Sequence, residues 1–439
     1  MKFGTTLMQQ AEVLAAFTED APRVTRTYLS SEHKQAGDYL IGLMREAGMD
    51  AGFDALGNIV GRYATASPTA LTAPTVITGS HQDSVRNAGK YDGLYGILTA
   101  IACVRDMHAR GKRLPYALEV IGFCDEEGVR FGVTLIGSKA MAGAFDPAWL
   151  DQQDANGVTM RAAIRSFGGD PDAWMSLDRR NKNVAAFVES HIEQGPVLLN
   201  ENLSVGVVTA IAGATRLNAT ITGLAGHAGT VPMGQRQDAL TAAAEMILFV
   251  ESYCTEQNVE AGSESNYEGA ERRTGPRNNA AGVVGTVGVI DANPGAVNVI
   301  PQDVSFTIDV RSGDDATRRR AVATLRAQFS GIAARRNVQM ELTAFYEADA
   351  APCDAQLQAQ LARAITAQGV PVRHLPSGAG HDAMVFPAVC PTAMLFVRCG
   401  NNGISHHPDE IMTAEDAEIS TRVLLDFFEN LALPKQVVA

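Results

Sequence analysis

Apolar residues in SEHKQAGDYLIGLMREAG, from residue 31 on, recur at helical spacing, with Ser and Glu at the start and Gly48 at the end, which predicts a helix. APTVITGS and YALEVIGF are short continuous apolar runs bounded by turn residues, the pattern of strands buried on both faces. Between them, GLYGILTAIACVRDMHARG predicts a second helix ended by Gly111. Strands separated by helices imply an α/β domain whose mixed sheet is mostly parallel and flanked by helices. Ligands of such sheets bind beyond the carboxyl ends of the strands. His81 follows the first run directly, and Asp125, Glu126 and Glu127 follow the second.

The texture changes near residue 212. ATRLNATITGL alternates like a half-exposed strand, QDALTAAAEMILFVESYC is helical, and GVVGTVGVI and DVSFTIDVR read as strands. DATRRRAVATLRAQFSGIAARR is helical again and VQMELTAFY is a strand. That βαββαβ order suits a two-layer α+β unit with an antiparallel sheet. LARAITAQGV, TAMLFVR and a last helix, AEISTRVLLDFFENLA, then resume the first texture. The expected organisation is therefore one α/β domain built from 1–212 and 349–439, with 213–348 inserted into it. The polar stretch 255–280 has no apolar period and is expected to be a long mobile loop within the insert.

A chain of 439 residues suits two domains, and 46% hydrophobic with 19% charged residues is a globular balance. The net charge of −13, without a Lys/Arg-rich tract, argues against nucleic acid as a partner. No stretch reaches the roughly 18 apolar residues of a membrane span, and the N-terminus lacks a signal-peptide pattern. A cytoplasmic protein is expected. The six cysteines are widely spaced without a CxxC pair, as reduced, mostly buried thiols would be.

Three acids at a strand end are, taken alone, more often a solvated turn than a site, and a lone histidine is more often structural than a ligand. Their company alters that balance. GSHQDSV supplies His81 and Asp83, GKYDGLYG supplies Asp92 in a glycine-flanked loop, and VESHIEQGPVL supplies His191 and Glu193. GAGHDAM holds His381 and Asp382, and GISHHPDE holds His406 and His407. Imidazole and carboxylate suit a divalent metal, and the cysteines are not placed to compete. Two metals need a bridging carboxylate, which a loop Asp such as Asp92 provides, with His81, His191, Glu127 and one of the last histidines around it. Glu126 is then free to take a proton from water, and Asp83 suits an acceptor that orients a ligand imidazole.

With these motifs in order, together with GHAGTVPM, NVIP and DVRS, the chain resembles the dinuclear metal-dependent amidohydrolases of the hydantoinase/carbamoylase group, within the aminoacylase and carboxypeptidase-like metallopeptidases. The matching segments span about residues 77 to 412, and EEGVRF with HIEQGPVL marks the amidase branch, whose peptidase relatives have an acid where His191 stands. The resemblance implies a catalytic α/β domain carrying an inserted lid through which a homodimer forms. It implies two divalent ions per subunit, zinc or manganese with cobalt or nickel as substitutes. Asp92 would bridge them, with His81 and His191 on one and Glu127 and His406 on the other. It makes Glu126 the general base and His227 the donor that reaches across the dimer to the developing oxyanion. Gln194, Asn298 and Arg311 would hold a substrate carboxylate, with Gly380 and His381 also lining the substrate. The implied reaction is hydrolysis of a ureido carbon–nitrogen bond in a small carboxylate. DEEGVRFGVTLIGSKAMAG and GVVTAIAGATRL resemble the corresponding segments of allantoate amidohydrolases, a resemblance that implies allantoate ahead of N-carbamoyl-L-amino acids, ureidoglycolate and β-ureidopropionate. A deacylase or peptidase of the same fold, and an inactive binding scaffold, are the competing expectations.

Overall fold

The computed structural model describes residues 2–66, 73–260 and 282–433. The first unit comprises residues 1–208, 353–373 and 379–439; the second comprises 209–352 and 374–378.

The first unit opens with helix α1 (Phe3–Ala15), which the sequence reading did not anticipate, and α2 (Ser31–Glu46), capped by the Ser30 side chain accepting from the His33 amide. A hairpin of β1 (Asp50–Phe53) and β2 (Ile59–Tyr63) follows. Next come β3 (Thr75–His81), α3 (Leu94–Ala109) and β4 (Ala117–Phe123). Every residue of β3 and β4 is buried, as their unbroken apolar runs predict. Short helices α4 (Ile136–Met141) and α5 (Met160–Phe167) lead to β5 (Val184–Ile192), after which come α6 (Val197–Asn200) and β6 (Val205–Ile211).

The second unit is a two-layer structure. Strands β7 (Gly213–Thr222) and β8 (Gly226–His227) precede α7 (Ala239–Glu260). After it come β9 (Val283–Thr286), β10 (Ile290–Asn293), β11 (Val299–Ile300), β12 (Asp303–Ser312), α8 (Asp315–Arg336) and β13 (Gln339–Ala348). The sheet is antiparallel, ordered β10-β12-β7-β13, with β9 also on β12. GVVGTVGVI, read as one strand, is two: β9 and β10 line the same edge of β12 with an interruption at 287–289. Alternate residues of β7 and β12, among them Leu217, Ala219, Ile308 and Val310, are buried in one core with Ala242, Met246, Leu325 and Phe329 of the two helices. Residues 255–260, expected to open a long loop, are helical as the end of α7; the rest of that stretch, to residue 280, lies outside the described residues.

Strands β14 (Ala351–Pro352) and β15 (His374–Ser377) pair with β6; α9 (Ala355–Ala367), β16 (Thr392–Val397) and α10 (Ala414–Asn430) belong to the first unit. Its sheet runs β1-β2-β4-β3-β5-β16-β6. The central four strands are parallel, and antiparallel pairs close both sides. Helices α1, α2, α3, α9 and α10 bury their apolar faces in one core with these strands. Because β3, β4, β5 and β16 run the same way, their carboxyl ends fall along one edge of the sheet, and the chemistry gathers there.

Candidate metal centre

His81 is the last residue of β3, Glu126 and Glu127 stand just past β4, His191 is next to last in β5, and His406 follows β16. Asp92 reaches them from the turn that opens α3. Gly93 in that turn has φ +67, and a Cβ there would lie 2.5 Å from the His81 ring, so only glycine lets the turn close on the imidazole. One oxygen of Asp92, Oδ1, is 3.6 Å from Nε2 of His81 and 3.2 Å from Nε2 of His191. Its Oδ2 is 3.1 Å from Nε2 of His406, which is 3.4 Å from Oε1 of Glu127. Two ligand triads result, His81–Asp92–His191 and Asp92–Glu127–His406, and they share Asp92. Glu126 groups with His81 and Glu127 beside them. His407 instead turns its Nδ1 to the Asp409 amide, so His406 is the histidine that faces Asp92.

The donor set fits divalent cations. Nδ1 of His81 lies 3.0 Å from the Asp83 carbonyl and Nδ1 of His191 lies 2.8 Å from the Ile192 carbonyl. Those contacts place a proton on each Nδ1 and direct the Nε2 lone pairs at Asp92. Nε2 of His191 and Oδ1 of Asp92 are both buried without a hydrogen-bond partner. Lone pairs opposed across about 3 Å in a buried place need a cation between them or a second proton on the ring. Burial opposes the charged form of His81, yet the bond to Asp92 and the charges of Glu126 and Asp92 hold its pKa well above the ordinary value. The acids shift upward as well, which favours their neutral form: burial, then neighbouring acids, pushes Glu126 well up against the charge of His81, and Glu127 stands at about 7, raised chiefly by burial. Nitrogen and oxygen donors of this kind match zinc, manganese and related ions.

The supporting residues differ in detail from their sequence reading. The main-chain carbonyl of Asp83 orients His81, while its carboxylate accepts from the Glu126 and Glu127 amides at 3.1 and 3.2 Å and so fixes the turn that presents both acids. Asp125 is buried within that turn at φ +54; Gln194 and His406 also occupy the left-handed region, at φ 54 and 55. Such backbone costs of order 1 kcal/mol per residue and gathers at functional sites. The Gln194 amide donates to Oδ2 of Asp92 at 3.2 Å. Gly380 adjoins Glu126, since a Cβ on it would lie 3.9 Å from Oε1. His381 packs its ring against His191 at 4.4 Å between centroids, and burial drives its pKa well down, leaving it neutral.

Two acids went unnoticed in the sequence. Glu410 accepts from the amides of Tyr91 and Asp92 and from the Ser405 hydroxyl, tying the Asp92 turn to the turn that carries His406. Glu189 accepts from Ser80 and from the Ala383 amide beneath His191. A glutamate inside the apolar run AAFVESHI was a signal for the latter, and Glu410 ends the quoted GISHHPDE.

His227, Asn298 and Arg311 belong to the second unit. β8 and β11 pair His227 with Val299, and the Ala228 amide donates to the Asn298 carbonyl, so the backbones of the two segments run side by side; His227 and Asn298 are both exposed. The Gly229 amide donates to Nδ1 of His227, which leaves the proton of the neutral ring on Nε2 as an outward donor. Arg311 binds both oxygens of Asp309 and the Gly378 carbonyl. All six cysteines are free and buried, and no described helix is long and apolar enough to cross a membrane.

The profile of peptidase family M20/M25/M40 matches residues 77–430. An N-carbamoyl-L-amino acid amidohydrolase from Geobacillus stearothermophilus is 38% identical over 409 residues, 93% of either chain. A probable allantoate deiminase from Oryza sativa subsp. japonica is likewise 38% identical over 425 residues, covering 93% of this chain and 84% of its own. Among solved structures, a hydantoinase/carbamoylase family amidase from Burkholderia multivorans superposes with a TM-score of 0.85 at 31% identity, over 97% of both chains.

Proposed function

The chain belongs to peptidase family M20/M25/M40, among its hydantoinase/carbamoylase amidases, and is a hydrolase of carbon–nitrogen bonds; we propose that it cleaves the ureido group of a small carboxylate, with allantoate as substrate, using two divalent ions. The observation that carries the reading is Asp92, whose two oxygens each face a histidine-bearing triad. His81, Asp92 and His191 would hold one ion and Asp92, Glu127 and His406 the other; when bound, they supply Lewis acidity that polarises the ureido carbonyl and acidifies water. Glu126, beside both triads, takes the proton of the attacking water and hands it to the departing nitrogen. The Nε2 proton of His227, brought across a dimer as the resemblance implies, meets the carbonyl oxygen as it becomes anionic. Arg311, Asn298 and Gln194 hold the carboxylate. The products are ammonia, carbon dioxide and the freed amine.

An N-carbamoyl-L-amino acid offers the same pairing of ureido group and carboxylate, and relatives carrying both names are 38% identical to this chain. We assign the dimer contact to the second unit; what supports this is that Leu248 of α7, and Val289 and Ile290 at β10, an edge strand among the described residues, are half or more exposed. The deciding experiment measures ammonia release from allantoate, N-carbamoyl-L-amino acids, ureidoglycolate and β-ureidopropionate, with manganese and with zinc. Fastest release from allantoate is expected. Release of a carboxylic acid from N-acyl amino acids, with no ammonia from any ureido compound, overturns the reading.

A further inference from the structure

The carboxylate-holding arginine is itself held by an acid that the proposed reaction does not use. Asp309 and Arg311 are two apart on β12 and share a face of the sheet. Asp309 lies directly opposite Arg216 on β7, and Arg216 lies opposite Tyr346 on β13, so the three form a row across neighbouring strands. That face is the one turned away from the core, because Ile308, Val310 and Leu217 point into it. Within the row, Nε and Nη2 of Arg311 donate to Oδ1 and Oδ2 of Asp309 at 2.8 and 3.1 Å. Nη1 of Arg311 donates to the Gly378 carbonyl at 2.9 Å, and Nε of Arg216 donates to Oδ2 of Asp309 at 3.0 Å. The Arg216 guanidinium sits 4.7 Å over the Tyr346 ring.

A guanidinium has five N–H groups. Three of those on Arg311 are engaged, and one remains on each terminal nitrogen, the pair that a carboxylate accepts in two parallel bonds. One carboxylate between two guanidinium groups also leaves this local cluster with one positive charge in excess. A long side chain with only about a third of its surface exposed would otherwise sample several rotamers, each costing entropy to immobilise on binding.

We propose that Asp309 is a positioning residue for substrate binding: braced by Arg216, it fixes the Arg311 fork so that its two free N–H groups face the incoming carboxylate. This rests on the reading of Arg311 given under Proposed function. An ordinary half-exposed ion pair would affect stability slightly and binding not at all.

The test compares Asp309→Asn, Asp309→Ala and Arg311→Met on the best ureido carboxylate and on its carboxamide analogue, with thermal melts of each variant. Both Asp309 variants are expected to raise KM for the carboxylate about tenfold, leaving kcat within about twofold and KM for the carboxamide unchanged. Arg311→Met comes first in the logic: if it leaves the carboxylate KM unaltered, the assignment of Arg311 fails. If Arg311→Met raises that KM while both Asp309 variants leave it alone, the positioning role fails by itself. Equal KM changes for carboxylate and carboxamide also overturn it, since they mark a general structural defect. Asp309→Asn keeps the shape of the side chain and covers the case in which Asp309→Ala does not fold.

Discussion

Asp92 and Glu126 show how much a single side chain's surroundings decide. Asp92 faces three imidazoles and is held by burial-opposing hydrogen bonds well below the ordinary carboxylate pKa, as a bridging ligand requires. Glu126 is pushed up first by burial and then by its acid neighbours against the opposing charge of His81, the direction a proton carrier requires. Glu126→Gln is therefore expected to lower kcat by about 10²–10⁴ while leaving the metal content, read by elemental analysis of the purified protein, as in the wild type. Near-normal turnover would remove Glu126 from the base role. Motif spacing made His81, Asp92, Glu127 and His191 stand out in the sequence, because each lies at or close to the end of a regular element. It left His406 against His407 open; that choice rests on a residue at φ +55, a backbone turn that no side-chain spacing encodes.

Strands and helices were legible wherever one period persisted. Fully buried β3 and β4 read as continuous apolar runs, and the alternation of β7 and β12 survives as alternate burial. The interruption between β9 and β10 was not visible, because GVVGTVGVI is apolar or small throughout. Two predictions belong at this scale. Gly93→Ala forces a Cβ into the His81 ring at φ +67, and a destabilisation of about 1–3 kcal/mol with loss of bound metal is expected, checked by denaturant melts and elemental analysis. The strand-end acids also set a pH response. Glu127 and Glu410 are each raised from 4.5 to about 7, first by burial, with Asp92 adding to it in both. A carboxyl raised on folding favours the folded state below its unfolded value and loses that contribution as pH rises through the folded value. Metal-stripped protein is thus expected to melt lower at pH 8 than at pH 5.5, with the loss falling between about 4.5 and 7. Metal restores the melting temperature at pH 8 by binding the folded state alone. A stripped protein equally stable at both pH values would contradict this account of the acid run.

At the scale of the molecule, the proposed dimer sets the predictions. Sedimentation equilibrium is expected to give twice the 46.6 kDa of one chain, and Ile290→Lys on the edge strand to shift the protein toward monomer. A wild-type monomer with full activity would remove both the dimer and the role given to His227. By itself, the sequence determined most element types and brought histidines and acids to the ends of the buried strands. These follow from local periodicity and from chemistry that stands next to strand ends. Only the tertiary structure decided which oxygen of Asp92 meets which histidine, that Asp83 works through its carbonyl on one side and its carboxylate on the other, and that Asp309 grips Arg311 and Arg216 together. Each of those depends on which atoms of distant segments come within about 3 Å of each other. Packing and strand register fix that distance, and neither is written in the spacing of residues along the chain.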